Sequence, residues 1–147
     1  MNAFASLETP LVATPAFYVQ TPDGRRDWSE IDRQATLFRV MRMSAPRVAI
    51  EANANAGKRN PAKARKEGIR AGVFDVSVRF RAPLAAWIEM KGYDARGKAG
   101  ALSQDQIEWG NRQTELGWPV ACFFCPYAAA DWLREQGFPV AELRRQA

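Results

Sequence analysis

The chain has 147 residues, of which 47% are hydrophobic and 11% aromatic, which suffices for one packed domain and is too short to favour two. It contains no histidine, so Ser-His and Cys-His nucleophilic systems and histidine-containing zinc sites are excluded, and any metal must be held by carboxylates, carbonyls and water, as Mg²⁺ or Mn²⁺ prefers. The net charge of +5 favours a polyanionic partner, chiefly nucleic acid, although many ordinary small domains are as basic.

Residues 1–26 place three prolines and one glycine between short apolar pieces. This composition predicts an N-terminal arm or irregular segment, with a short strand at Ala16–Gln20. The start of the chain has no basic region followed by an apolar core, and no apolar run approaches the roughly 20 residues that span a bilayer. We therefore expect a soluble chain without a membrane partner, in which residues 27–147 form a single domain.

The first predicted helix begins near Ser29, a favourable N-cap, and ends before Pro46. Glu30 and Asp32 lie in its first turn, where negative charge is stabilised by the helix dipole. Apolar residues at spacings of four, three and three predict its buried stripe: Ile31, Ala35, Phe38 and Met41. Val48–Ile50 is the candidate strand that follows.

A basic segment follows the strand and contains a short predicted helix. Between residues 58 and 70 a single acid, Glu67, opposes six cations: Lys58, Arg59, Lys63, Arg65, Lys66 and Arg70. The helix is predicted over Pro61–Glu67, because Asn60 can cap it, proline suits the first helical position and Gly68 suits its end.

Two runs of alternating residues, Val73–Phe80 and Leu84–Lys91, predict a β-hairpin with its turn at Ala82. In that register the facing residues on one side form only apolar pairs: Phe74 with Met90, Val76 with Ile88, Val78 with Ala86, and Phe80 with Leu84. A shift of one residue would break every pair, so the pattern favours this register.

The same register places Asp75 opposite Glu89 on the other side of the hairpin. Directly opposed Cβ atoms lie about 4.5–5.5 Å apart, so two carboxylates there repel each other. A divalent cation between them would remove the repulsion. Lys91 lies on the same face, two residues beyond Glu89. The alternative is that all three are solvated charges on an exposed sheet face.

The C-terminal part adds two helices and a strand. Ser103 is the expected N-cap of a helix that runs to about Leu116, after which Pro119–Phe124 reads as a buried strand. Pro126 begins a last helix that ends near Gln136. The order helix, strand, strand, strand, helix, strand, helix indicates a mixed α/β domain.

Cys122 and Cys125 have CxxC spacing inside this apolar strand. The chain has no second pair of ligands for a zinc site. We therefore expect buried structural thiols, in a reducing, cytoplasmic setting because no disulfide framework is present.

Several of these stretches together resemble the VRR-NUC branch of the PD-(D/E)XK nuclease superfamily over residues 28–136. The resemblance lies in the ordered set rather than in any single motif: a helix with Glu30 and Gln34, Asn55–Arg59, Gly68–Gly72, Gly72–Asp75, Trp87–Gly92 and Leu102–Trp109. Phe74 and Ala54 stand where the family usually has proline, and neither position is a ligand.

The resemblance implies a restriction-endonuclease-like α/β core in the order α-β-β-β-α-β, with a mixed sheet flanked by helices. It also implies a Mg²⁺- or Mn²⁺-dependent DNA endonuclease. Asp75 and Glu89 would hold the metal together with the backbone carbonyl of Met90. Lys91 would position the attacking water and offset charge in the transition state. Gln106 would project into the site from its helix.

One further acid is expected to complete the cluster, and the sequence leaves two candidates, Glu30 and Glu51. The six cations between residues 58 and 70 would contact DNA phosphates, or would form an ordinary solvated helix face. Trp109 and Trp118 would stack on bases, or would pack in the fold as large aromatic residues usually do.

The family includes junction-resolving and flap-cutting nucleases, so the resemblance favours branched, flapped or Holliday-junction DNA as substrate, in a bacterial or phage-infected cell. Symmetric cutting of two strands needs two sites related by a two-fold axis, which predicts a homodimer. Two alternatives remain: a non-catalytic DNA-binding module with the nuclease fold, and a partner-binding protein in which the Glu-x-Lys sequence is incidental.

Overall fold

The computed structural model describes residues 12–53 and 60–142. Its strands are β1 (Tyr18–Val19), β2 (Ala49–Ala52), β3 (Val76–Arg79), β4 (Ala85–Met90) and β5 (Val120–Phe123). Its helices are α1 (Glu30–Ser44), α2 (Pro61–Lys66), α3 (Gln104–Glu115) and α4 (Pro126–Glu135). The strands form one open sheet in the order β1-β5-β4-β3-β2, in which β5 runs parallel to both neighbours and the other pairs are antiparallel. The predicted mixed α/β fold is confirmed.

The main core lies between one face of the sheet and the helices α1 and α4. Alternate residues of the central strands point into it and are fully buried: Val76, Val78, Ala86, Ile88 and Met90. Helix α3 lies against the opposite face, where its Trp109 ring packs edge-on against Trp87 of β4 at 5.9 Å. The alternation that predicts the hairpin therefore also directs one set of side chains towards α1 and α4 and the other set towards α3.

The hairpin has the predicted register, with Val76 opposite Ile88 and Val78 opposite Ala86. The predicted pairing of Phe74 with Met90 is wrong. The chain bends at Asp75, so the alternation of side chains does not extend to Phe74. Its ring packs instead under α3, against Trp109 at 5.1 Å.

Helix α1 has the predicted N-cap, since the Ser29 side chain accepts a hydrogen bond from the Asp32 backbone. Its predicted buried stripe is wrong for Ile31, which is 79% exposed, and for Ala35, which is also exposed. It is confirmed for Met41, which is buried, and for Phe38, which is partly buried against the core. The buried face of α1 combines polar and apolar residues: Arg33, Thr36, Leu37, Val40, Met41 and Ser44. With 15 residues α1 is the longest described helix, and none of the described helices is long and apolar enough to cross a membrane.

Arg33 is completely buried, and its guanidinium joins three parts of the chain. It donates to the carbonyls of Trp28 and Arg25, at 2.9 and 2.8 Å, and to the Phe124 carbonyl after β5, at 2.8 Å. It also forms an ion pair of 2.7 Å with Asp23, and this hydrogen bond lowers the pKa of Asp23. The beginning of α1 is thereby fixed relative to the end of β5.

The described part of the N-terminal segment contributes the edge strand β1, which lies within the predicted strand and pairs with β5. Just beyond it, the Gln20 side chain accepts hydrogen bonds from the backbone N–H groups of Phe124 and Cys125. The boundary at residue 26 stays a prediction. Both thiols are free; Cys122 is buried as predicted and Cys125 is half-buried. Burial raises the pKa of the Cys122 thiol to about 12.

Replacing Arg33 by methionine should lower the free energy of unfolding by about 3 kcal/mol, because Asp23 and three carbonyls lose a buried partner. Urea denaturation followed by tryptophan fluorescence measures this change. Arg39→Met is the matched control, since Arg39 is exposed on the same helix, and a change within about 0.5 kcal/mol is expected there. Equal stabilities for the two variants would contradict the anchoring role of Arg33.

Candidate metal centre

The C-terminal end of β4 carries two charged residues that are almost completely buried. Glu89 is 1% exposed and Lys91 is 8% exposed. Both lie on the α3 side of the sheet, and Lys91 continues the pairing with β5 by donating its backbone N–H to the Phe123 carbonyl at 2.9 Å. The alternative that these residues are solvated charges on an exposed face is therefore wrong.

Three carboxylates meet beside this strand end. Glu30, Asp75 and Glu89 each offer an oxygen, and these oxygens all lie within 4.8 Å of one another. The three residues come from the start of α1, the bend before β3 and the end of β4. The Asp75 backbone N–H also donates to Glu89 Oε2 at 3.0 Å, which fixes the bend against the strand.

Glu30, not Glu51, is the third acid of the cluster. Glu51 lies exposed on β2, where its carboxylate forms a 2.9 Å ion pair with Arg79. Glu30 reaches the centre because Gly92, the residue after Lys91, allows α1 to approach β4 closely. A Cβ at position 92 would lie 2.5 Å from the Glu30 backbone nitrogen, so any other residue would push the helix away. Gly92 belongs to one of the motifs in the sequence, but no local pattern there indicates this role.

Gln106 joins the centre from the first turn of α3, as predicted. Its Nε2 donates to Glu89 Oε1 at 2.7 Å, and its Oε1 accepts from Lys91 Nζ at 3.2 Å. The same oxygen accepts from the Ser103 backbone at 3.0 Å, which completes the capping box of the helix. A Cβ at Gly72 would overlap the backbone of Asp105 and Gln106. Glycine at position 72 therefore permits this close approach.

The electrostatics of the centre leave it short of positive charge. Burial, and then the nearby Asp75 carboxylate, raise the pKa of Glu89 to about 7, although the Lys91 ammonium at 3.1 Å acts in the opposite direction. Burial also raises the pKa of Glu30, with a further contribution from Asp75. Acids held together in this way are disfavoured as anions unless a cation neutralises them.

The donor set fits a hard divalent cation. The cluster offers carboxylate oxygens only, which suits Mg²⁺ or Mn²⁺. Met90 lies between Glu89 and Lys91, and its side chain is buried in the main core, so its backbone carbonyl is the group that remains for a ligand. Its role as a ligand stays a prediction.

The predicted DNA-contacting cations lie on and after α2. Lys63, Arg65, Lys66 and Arg70 are exposed, whereas Lys58 and Arg59 lie outside the described residues. Arg65 and Arg70 line a groove of about 650 Å³ that also borders α3. The Trp109 and Trp118 rings each lie 5.9 Å from the Trp87 ring, edge to face, which favours the packing role for both.

Known proteins offer no match to this chain: no family model, no curated protein and no solved structure matches it. The resemblance to VRR-NUC nucleases therefore stays a prediction that depends on the residues quoted for it. The centre has to be interpreted from its own geometry and chemistry.

The raised pKa of Glu89 predicts a pH-dependent stability when no divalent metal is present. Between about 4.5 and 7 the folded state holds a proton that the unfolded state has lost. The contribution of Glu89 to stability is therefore complete below pH 4.5 and is lost as the pH rises through 7, by about 3 kcal/mol. Wild type and Glu89→Gln, unfolded in urea with EDTA, should differ accordingly: the variant gains on wild type between pH 5 and pH 8.

Glu51→Gln is the control for this measurement, since Glu51 is an exposed acid on the same sheet. Its stability should follow the wild type at both pH values. A Glu89→Gln profile parallel to that of wild type would show that Glu89 titrates as an ordinary glutamate.

Proposed function

We propose that this chain is a metal-dependent DNA endonuclease with a restriction-endonuclease-like core, related to the VRR-NUC nucleases. One observation carries the proposal: three carboxylates within 4.8 Å of one another share a centre with a buried lysine. A lysine beside a cation site is what phosphodiester hydrolysis needs, because negative charge builds up on the phosphate as water attacks. The order of elements from α1 to β5 agrees with such a core.

Glu30, Asp75 and Glu89 would hold one or more Mg²⁺ or Mn²⁺ ions, with the Met90 carbonyl as a further ligand. A cation bound there supplies Lewis-acid chemistry, which activates water and stabilises charge on the phosphate oxygens. The raised pKa of Glu89 supports this role, because a bound cation would offset the negative charge of Asp75 and favour the ionised form of Glu89.

Lys91 is the residue that we assign to the transition state. Its ammonium is oriented by Glu89 Oε1 at 3.1 Å and by Gln106 Oε1 at 3.2 Å. Two of its N–H bonds are thus directed at protein oxygens, and within residues 12–53 and 60–142 no third acceptor meets it, so the remaining N–H can donate to the attacking water or a phosphate oxygen. Gln106 positions Lys91 and Glu89 together, since it bonds to both.

DNA is the substrate that the exposed cations after β2 favour. Lys63, Arg65, Lys66 and Arg70 can contact phosphates, and such contacts orient a duplex without reading its sequence. Selectivity would then come from the shape of the DNA, which favours branched, flapped or four-way junction substrates. A homodimer would relate two carboxylate centres by a two-fold axis, one for each DNA strand of a symmetric cut.

Cleavage of labelled linear duplex, single-stranded, flapped and four-way junction DNA, with Mg²⁺ or Mn²⁺, tests the proposal. Wild type should cut at least one branched substrate, and EDTA should abolish cutting. Asp75→Asn and Lys91→Met should each reduce the single-turnover rate by about 100-fold or more, since each removes charge stabilisation at the phosphate.

Glu51→Gln provides the matched control: it removes an exposed carboxylate outside the centre and should cut as wild type does. Circular dichroism checks that each variant is folded. If wild type binds these DNAs and cuts none with either metal, the nuclease proposal fails and a non-catalytic DNA-binding module takes its place.

A further inference from the structure

The sheet face that carries Asp75 is open over β2 and β3. Helix α3 packs on β5 and on Trp87 of β4. Along β3, Ser77 is half-buried and Arg79 is exposed; on β2, Ala49 and Glu51 are exposed as well. The described part of the chain therefore leaves a strip of solvent-accessible surface that starts at the carboxylate centre and runs along β3.

Three arginines gather where the β2–β3 pair ends away from the carboxylate centre: Arg47, Arg79 and Arg81. They line a cavity of about 420 Å³ together with Ala49 and Phe80. Ala49 pairs with Arg79 across the β2–β3 ladder. Arg47 lies in the turn before β2 and Arg81 in the bend after β3, so both adjoin the Arg79 end of these two strands.

Nothing in the described residues neutralises this pair. The guanidinium carbons of Arg47 and Arg81 lie 5.7 and 5.6 Å from the centre of the Phe80 ring, which attracts cations but carries no charge. Within residues 12–53 and 60–142, Arg79 is the one member of the cluster in an ion pair, with Glu51. That pair is more than half exposed and so contributes little.

Arginine is the side chain best suited to bind phosphate, because its planar fork can donate two parallel hydrogen bonds. The cluster therefore has the chemistry of a phosphate-binding surface. Arg79, the member of the cluster on β3, lies four residues beyond Asp75 along the hairpin, or about 13 Å at 3.3 Å per residue.

We propose that the open face of β2 and β3 holds a DNA duplex, and that Arg47, Arg79 and Arg81 bind its phosphate backbone away from the carboxylate centre. The choice of DNA as the polyanion rests on the proposed nuclease function. Each strand of a duplex carries one phosphate per 3.4 Å of helix axis, so the Arg79 contact falls about four nucleotides from the phosphate at the centre. The cluster would thereby set how much duplex the enzyme requires beside its cut.

Fluorescence anisotropy of a labelled 30-base-pair duplex, over a series of KCl concentrations in EDTA, tests this surface without cleavage. Arg47→Gln/Arg81→Gln should weaken binding by about ten-fold. It should also reduce the slope of log K against log [KCl] by about 1.8, since each lost phosphate contact contributes about 0.9. The melting temperature of the free variant should not fall, because both side chains are exposed and neither forms an ion pair within the described residues.

Arg39→Gln/Arg42→Gln is the matched control, with the same loss of charge from exposed positions of α1, on the other side of the sheet. Its affinity should change by less than about two-fold. Its slope of log K against log [KCl] should change by less than about 0.9, which is the contribution of one phosphate contact. If Arg47→Gln/Arg81→Gln does not fold, Arg81→Gln alone carries the test. Its slope of log K against log [KCl] should be smaller than that of wild type by about 0.9.

Equal affinity and equal salt slope for the two double variants would overturn the proposed surface, whether or not the wild type cuts DNA. A different result separates the DNA-binding surface from the nuclease function. If binding depends on Arg47 and Arg81 while no metal supports cleavage, the surface stands and the nuclease function fails.

Discussion

A carboxylate that leaves water must find compensating partners, and Glu89 has left water almost entirely, with 1% of its surface exposed. Its donors come from three parts of the chain: the Asp75 backbone, the Lys91 ammonium and the Gln106 amide. The hairpin bend, the end of β4 and the start of α3 are held in one arrangement because each supplies one of them. The donors do not compensate fully, since the pKa of Glu89 is still raised to about 7. The residual deficit of positive charge is what a divalent cation would supply.

The geometry of the centre depends on close backbone approaches that only glycine permits. Gly92 lets the start of α1 lie against the end of β4, which brings Glu30 to the cluster, and Gly72 lets the chain before Asp75 pass the first turn of α3. Arg33 holds the start of α1 in this position by donating a hydrogen bond to the Phe124 carbonyl. A charged centre is thus supported by a second buried charge one turn further along the same helix.

Local patterns in the sequence predict most of the fold and part of the centre. The alternation in the hairpin sets its register, and the register brings Asp75 to Glu89, because both depend on residues close in sequence. The prediction for Phe74 is wrong because the chain bends at Asp75. Part of the buried face of α1 is missed because Arg33 is polar and one of its partners, the Phe124 carbonyl, is distant in sequence. The choice of Glu30 as third acid likewise depends on a long-range contact that no local pattern encodes.

The central claim is that Glu30, Asp75 and Glu89 together bind a divalent cation. Crystals of the full chain soaked in MnCl₂ test it most directly, because the anomalous scattering of manganese locates the ion without assumption. The account predicts an anomalous peak about 2 Å from an oxygen of each of the three carboxylates. Millimolar Mn²⁺ that gives no peak at this cluster, with Glu89 still bonded to Lys91 and Gln106 as in the metal-free protein, would contradict it.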